Sequence, residues 1–157
     1  MKRTSWRFLI CHVLLMLILL FIWGNSALPA NLSSAVSDWV RDVLQLLFSG
    51  EGSASPGGTG LLRKVAHFLE FAALGFCLCW RFGMTAFRGL RLVCYPLITG
   101  VMVACIDEGI QFFVPGRSCS WMDVGIDTAG VLTGLVFLLI GFYFTKFRKN
   151  KNSSEEN

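Results

Sequence analysis

The sequence predicts an all-α, polytopic membrane protein with four transmembrane helices, an exterior amphipathic helix and both termini in the cytoplasm. The chain has 157 residues, of which 54% are hydrophobic and only 15% are charged. A compact soluble domain rarely has such a composition. Four apolar runs have the length that a helix needs to cross a hydrocarbon core about 30 Å thick. These predicted spans cover residues 8–23, 61–80, 92–113 and 124–144.

The first span begins after a basic segment and ends at Trp23. Lys2, Arg3 and Arg7 precede it, and the small residues of "GNSALPA" follow it. A cleaved signal peptide has a similar pattern. However, the run is long for a signal peptide, and Trp6 and Trp23 bracket it as interfacial aromatic residues do. We therefore predict a retained helix, and the site predicted below needs only the other three spans.

Basic residues predict the orientation of the chain. Lys and Arg collect in short cytoplasmic loops, and ten of the 14 lie before the first span, between the second and third, or after the fourth. Both termini should therefore be cytoplasmic, with membrane lipids surrounding the spans. The net charge of +4 is then a consequence of topology, and it requires no nucleic-acid partner.

The exterior segment between the first two spans has two parts. Apolar residues recur at helical spacing from Ser33 to Phe48, a pattern typical of an amphipathic helix on a membrane surface. The stretch "SGEGSASPGGTG" that follows reads as a flexible linker. At the other end of the chain, residues 151–157 predict a disordered cytoplasmic tail, so residues 1–150 form a single transmembrane domain.

Charged residues occupy the first half of the second span. Its uninterrupted apolar part, residues 71–80, is only about half the length needed to cross the core. At 100° per residue, Arg63, His67 and Glu70 fall in one stripe about 60° wide, with Lys64 alongside. Charges that face lipid are costly. The stripe should therefore face protein or a water-filled cavity.

Six further polar residues come from the next two spans and the loop between them. They are Asp107, Glu108, Gln111, Arg117, Asp123 and Asp127. Asp107 should lie at a depth similar to that of His67, about six residues below the end of its span. The Pro-Gly turn reverses the chain, so that Arg117 can fold back over the acids. Three helices are thus predicted to line one outward-facing polar cleft.

A stripe of glycines continues the face that carries Asp127. It consists of Gly130, Gly134 and Gly141. Small residues at such spacing let a second helix approach closely in a membrane. This face of the fourth span should therefore be a helix contact.

Three functions fit such a cleft. In a catalytic site, His67 would be the general acid or base, Glu70 or an Asp would orient it, and Arg117 would hold an anion. In a binding site, the same charges would hold an amphiphilic headgroup without proton transfer. In a non-catalytic membrane module, they would only set the helix packing. The candidate catalytic residues are His67, Glu70, Asp107, Glu108 and Asp123, and the candidate ligand-binding residues are Lys64, Gln111, Arg117 and Asp127.

A divalent cation is the cofactor that the acidic residues suggest. Carboxylates are the ligands that hard cations prefer, and such an ion could bridge a phosphate. The acids in question are Asp107, Glu108, Asp123 and Asp127. Their spacing alone does not establish a metal.

Two motifs carry the charged residues. "LRKVAHFLEFAALG" opens the second span, and "DEGIQFFVPGRSCSWMDVGIDTAGVLTG" joins the third to the fourth. Together with "NSA" after the first span, they resemble the VanZ-like membrane proteins over nearly the whole chain. The resemblance implies a multi-pass protein of a Gram-positive bacterial cytoplasmic membrane. Through the family's namesake it also implies a link to resistance to glycopeptide antibiotics, teicoplanin more than vancomycin. We therefore predict that the outer polar cleft binds or acts on a cell-envelope lipid, such as a lipid-linked envelope precursor, or a glycopeptide antibiotic.

Overall fold

The protein is mainly helical in the part of the chain that the computed structural model describes, which comprises residues 2–33, 35, 38–39, 59–85 and 87–155. The long helices are α1 (Lys2–Ser26), α2 (Thr59–Gly83), α3 (Leu90–Phe112) and α4 (Trp121–Glu155). Each contains a segment long and apolar enough to cross a membrane. The prediction of an all-α protein with four such helices is therefore confirmed.

Two predicted features lie at the limits of the described residues. Residues 30–33 are helical, but most of the predicted amphipathic helix and the whole linker after it lie outside the described part. The sequence also predicts disorder from residue 151, whereas the backbone of α4 is helical to Glu155. Each residue added to an existing helix gains a backbone hydrogen bond, and residues 146–155 contain no Gly or Pro to interrupt it.

Glycines on α4 make the closest helix contact. Helices α2 and α4 form the most extensive interface in the bundle. A Cβ atom added at Gly134 would overlap the backbone oxygen of Ala72, and one added at Gly130 would overlap that of Phe68. The predicted contact does not extend to Gly141, because a Cβ at Gly141 would meet nothing within 4 Å. The two backbones diverge before that residue.

Val131 is the point at which three helices meet. It is fully buried between glycines of α2 and α3. A Cβ at Gly75 would overlap the backbone oxygen of Val131, whereas a Cβ at Gly100 would lie 2.6 Å from its Cγ1 methyl. Both neighbouring helices therefore approach this residue too closely for any side chain of their own.

The apolar core lies around Val131, and α1 joins it through Ile22, which is fully buried. Phe71 and Leu74 of α2 and Ala104 of α3 complete its centre. The outer faces of all four helices expose large hydrophobic side chains. In a membrane these faces contact lipid, so only the polar groups inside the bundle need partners of their own.

Candidate functional site

A polar cleft lies between α2, α3 and α4 at the end of the bundle where α3 turns into α4. The empty space in the cleft, including the solvent at its open mouth, is about 250 Å³. Its lining residues are Arg63, Lys64, His67, Glu108, Gln111, Asp123, Ile126 and Asp127. Six of the nine predicted site residues are among them. The predicted convergence of three helices on one cleft therefore agrees with the structure.

The floor of the cleft is a buried group of one imidazole and two carboxylates. His67 Nδ1 lies 3.8 Å from Asp107 Oδ2 and 3.7 Å from Asp127 Oδ1. His67 is 8% exposed, and both acids are completely buried. One possible ligand atom from each residue lies within 4.8 Å of the other two. The three residues come from three helices, so only the folded bundle assembles this group.

Asp107 is held in place by two hydrogen bonds to one of its oxygens. The Ser26 hydroxyl donates to Asp107 Oδ2 at 2.8 Å, and the Gln111 side-chain amide donates to the same oxygen at 2.9 Å. Gln111 lies one turn farther along α3, which places the two side chains on the same face. The second oxygen, Oδ1, is buried without a hydrogen bond. This carboxylate is therefore oriented but only half satisfied.

Asp127 is the least satisfied acid of the site. Both of its oxygens are buried, and neither accepts a hydrogen bond. Burying a carboxylate without hydrogen bonds or a compensating charge is costly. The only positively charged or protonatable group within 4 Å of Asp127, among the described residues, is His67. The floor thus carries an excess of negative charge.

Glu108 lies between the floor and the loop. Its Oε2 accepts a hydrogen bond from the Ser120 backbone amide at 2.8 Å, just before α4 begins. Its Oε1 is buried without a partner. Glu108 therefore joins the end of α3 to the start of α4. Only its Oε1 is free to contact a ligand.

The rim of the cleft is basic. Arg63 and Lys64 lie in the first turns of α2, and both are partly exposed. Lys64 Nζ lies 3.8 Å from Asp123 Oδ1, and the Lys64 side chain keeps 41% of its exposure. Such a loose, exposed pair holds neither side chain firmly. Cationic groups are thus available above the acidic floor.

Arg117 and Glu70 face α1 instead of the cleft. Arg117 donates from Nη2 to the Asn25 backbone oxygen at 3.0 Å, and Glu70 Oε1 accepts from the Asn25 amide at 3.2 Å. No ion pair among the described residues joins Arg117 to an acid. Arg117 was expected to close over the acids, but it is connected to one of them, Glu70, only through Asn25. Burial and the nearby Arg63 lower the pKa of the Arg117 guanidinium.

The conformation of the loop between α3 and α4 explains why Arg117 faces α1. Gly116 has a positive φ of 78°, which favours glycine, and the Ala30 amide donates to the Pro115 carbonyl at 3.4 Å. The turn is therefore docked on the chain that follows α1. From this position Arg117 reaches the end of α1.

Sequence reasoning missed the contribution of α1. Asn25 and Ser26, at its C-terminal end, supply hydrogen bonds to Glu70 and Asp107. The signal was "NSA" after the first span, which belongs to the resemblance described above but was given no role in the site. Asn and Ser are also common in turns, so the residue types alone did not distinguish a site. The first helix belongs to the polar network even though the cleft lies between the other three.

Comparison with known proteins gives one match. A protein-family model described as VanZ/LLP1 matches residues 8–144, which include every cleft residue and both α1 residues that join the network. The searches of curated proteins and of solved structures found no match.

Proposed function

The chain belongs to the VanZ/LLP1 family, and from this premise we propose that it binds the phosphate-bearing headgroup of a cell-envelope lipid and thereby contributes to teicoplanin resistance. The observation that carries the proposal is a basic rim over a buried acidic floor, in a cleft between membrane helices. A lipid reaches such a cleft from within the bilayer. Its headgroup then meets the rim first.

The basic rim favours a phosphate-bearing headgroup as the ligand. Arg63 and Lys64 are side chains that commonly bind phosphate oxygens. We therefore propose a lipid-linked envelope precursor as the bound partner and protection from teicoplanin as its consequence.

A purely structural role for the charges is the competing function. The packing of the bundle gives it little support, because the closest α2–α4 contact is made by Gly130 and Gly134. Asp127, which is fully buried, makes no hydrogen bond that would join helices. A set of charges selected only for packing should be fully paired.

We expect Asp107→Asn to abolish protection. The substitution keeps the shape of the side chain but removes the charge that Ser26 and Gln111 orient. The measurement compares teicoplanin and vancomycin susceptibility of a Gram-positive host with no gene, the wild type or the variant, at matched membrane levels. Arg88→Gln is the control, because Arg88 is exposed in the loop between α2 and α3.

Three outcomes are informative. Protection by the wild type and by Arg88→Gln, but not by Asp107→Asn, supports the cleft as the working site. Equal protection by all three forms contradicts the site assignment. No protection by the wild type removes the antibiotic role, and headgroup binding is then tested directly with vesicles that contain a polyprenyl phosphate lipid.

The proposed orientation, with both termini in the cytoplasm, predicts that Cys119 faces the exterior. This thiol is exposed in the loop between α3 and α4. Protoplasts treated with a membrane-impermeant maleimide should be labelled, and Cys119→Ser should remove most of the label. Cys105→Ser is the control, because Cys105 lies within the span of α3. Labelling only after permeabilisation would reverse the orientation.

The labelling rate should depend on pH. Although Cys119 is exposed, partial desolvation and the nearby Glu108 carboxylate raise the pKa of its thiol. Maleimides react with the thiolate, so labelling should be slow at neutral pH and faster in alkaline buffer. The comparison of variants is therefore best made at alkaline pH.

A further inference from the structure

We propose that His67, Asp107 and Asp127 bind a divalent metal ion of the Mn²⁺ to Zn²⁺ series at the floor of the cleft. The sequence suggested four acids as ligands of a divalent cation. The structure brings only two of these acids together and adds an imidazole, with the three ligand atoms within 4.8 Å of one another. The inference goes beyond headgroup binding, because the ion can be detected without any lipid.

The spacing of the atoms is close to that of a metal site. Bonds of about 2.0 to 2.2 Å to nitrogen and oxygen place neighbouring ligand atoms roughly 3 to 3.6 Å apart. The His67 nitrogen lies 3.8 Å from the Asp107 oxygen and 3.7 Å from the Asp127 oxygen. The three ligand atoms lie within 4.8 Å of one another, so a contraction of a few tenths of an ångström at the imidazole, and of up to about 1 Å between the two carboxylates, would complete the coordination. Side-chain torsions alone can supply such a movement.

Asp127 gives an independent reason to expect a cation. It is completely buried, and neither of its oxygens accepts a hydrogen bond. Asp107 Oδ1 is buried and unpartnered in the same way. A buried acid in this state is stabilised either by protonation or by a nearby positive charge. A metal ion between the two carboxylates would supply that charge, and a neutral imidazole would not.

Asp107 accepts hydrogen bonds of the kind that commonly orient the ligands of metal sites. Ligating carboxylates are themselves hydrogen-bonded, and these outer partners fix their orientation. Ser26 and Gln111 both donate to Asp107 Oδ2. A carboxylate oxygen that accepts two hydrogen bonds is turned toward the imidazole before any ion arrives. The cost of organising the site is therefore reduced.

The ligand set favours some ions over others. An imidazole nitrogen suits Zn²⁺ and other first-row transition metals, and carboxylates suit Mn²⁺ and Mg²⁺. Mg²⁺ and Ca²⁺ prefer sites made only of oxygen atoms. One imidazole with two carboxylates thus favours Zn²⁺ or Mn²⁺. Three protein ligands also leave a coordination position for water or substrate.

The proposed ion would be accessible from the cleft. His67 and Asp127 line it, so a phosphate that enters past Arg63 and Lys64 would meet the ion at the floor. Metal ions in such positions polarise phosphoryl oxygens. This step rests on the proposed function, whereas binding of the ion does not.

The test uses the purified full-length protein in detergent, stripped with a chelator and re-equilibrated with Zn²⁺ or Mn²⁺. We expect one ion per chain by mass spectrometry of the metal, and retention of the ion in excess Mg²⁺. Asp127→Asn and His67→Leu should each weaken binding by more than about 100-fold. His12→Leu is the matched control for His67→Leu, because His12 is exposed on α1, outside the group, and its loss should leave binding unchanged.

A second measurement does not depend on the folding of any variant. Co²⁺ added to the stripped wild type should produce the visible absorption of a site with nitrogen and oxygen ligands, and Zn²⁺ should remove it. Less than one ion per chain in the wild type would overturn the proposal. Equal loss in His12→Leu and His67→Leu would also overturn it, because the loss would then not depend on the group at the floor. Unchanged binding in His67→Leu would exclude the imidazole as a ligand.

Discussion

Gly134→Leu should prevent the bundle from forming. A Cβ alone at this position would overlap the backbone oxygen of Ala72, and the backbone nitrogen of Phe76 would lie within 2.7 Å. Neither atom belongs to a flexible side chain, so α2 and α4 must separate. Overpacking of a well-packed core costs about 1 to 3 kcal/mol, and occasionally more. A leucine wedged between two backbones should reach or exceed the upper limit.

The measurement is the amount of monodisperse protein that gel filtration recovers from detergent extracts, with the melting temperature of whatever remains. Gly141→Leu is the matched control, since it makes the same change on the same helix and meets nothing within 4 Å. It should behave as the wild type. A Gly134→Leu protein with the yield and melting temperature of the control would contradict the close α2–α4 contact.

Asp127→Asn should raise the stability of metal-free protein and abolish protection from teicoplanin. The variant loses no hydrogen bond, because neither oxygen of Asp127 accepts one. It exchanges a buried carboxylate for a neutral amide of the same shape, which costs less to bury. We expect a gain of roughly 1 to 3 kcal/mol, or about 2 to 4 °C in melting temperature for each kcal/mol in a chain of this size.

The two readouts of Asp127→Asn distinguish a working site from a structural network. If Asp127 only supports helix packing, its neutralisation should lower the amount of the protein in the membrane. If Asp127 belongs to a functional site, its neutralisation should remove protection from teicoplanin while the amount of protein stays normal. Melting in chelator and susceptibility at matched level should be measured together. Asp123→Asn, in a loose and partly exposed pair with Lys64, should change the stability by no more than about 1 kcal/mol. A lower melting temperature for Asp127→Asn would assign Asp127 to packing.

The spans and the main cleft could be predicted because they depend on patterns within single helices. Apolar length predicts a membrane helix directly. The 100° rotation per residue places His67 on the same face as Lys64 without knowledge of any neighbour. The positions of Asp107 and Asp127 along their spans then predict that both lie at about the same depth in the membrane as His67. These inferences need only the helix geometry and the requirement that charges avoid lipid.

The partners of Arg117 and Asp107 could not be predicted, because they depend on how helices meet. Periodicity shows which face of α3 is polar, but not that Ser26 of α1 ends beside it. Charge alone suggested an acid as the partner of Arg117, yet the docked turn directs it to a backbone oxygen. The same limit applies to Gly141, which shares the spacing of Gly134 but lies where the helices have separated.

The position of Val131 restricts how related sequences can diverge. The clash of a side chain at residue 100 would be with the Val131 methyl groups, so a smaller residue at 131 could relieve it. The clash at residue 75 would be with the Val131 backbone, which no exchange at 131 removes. In an alignment of homologues, glycine should therefore be invariant at position 75. Positions 100 and 131 should covary, with alanine at 100 accompanied by a smaller residue at 131.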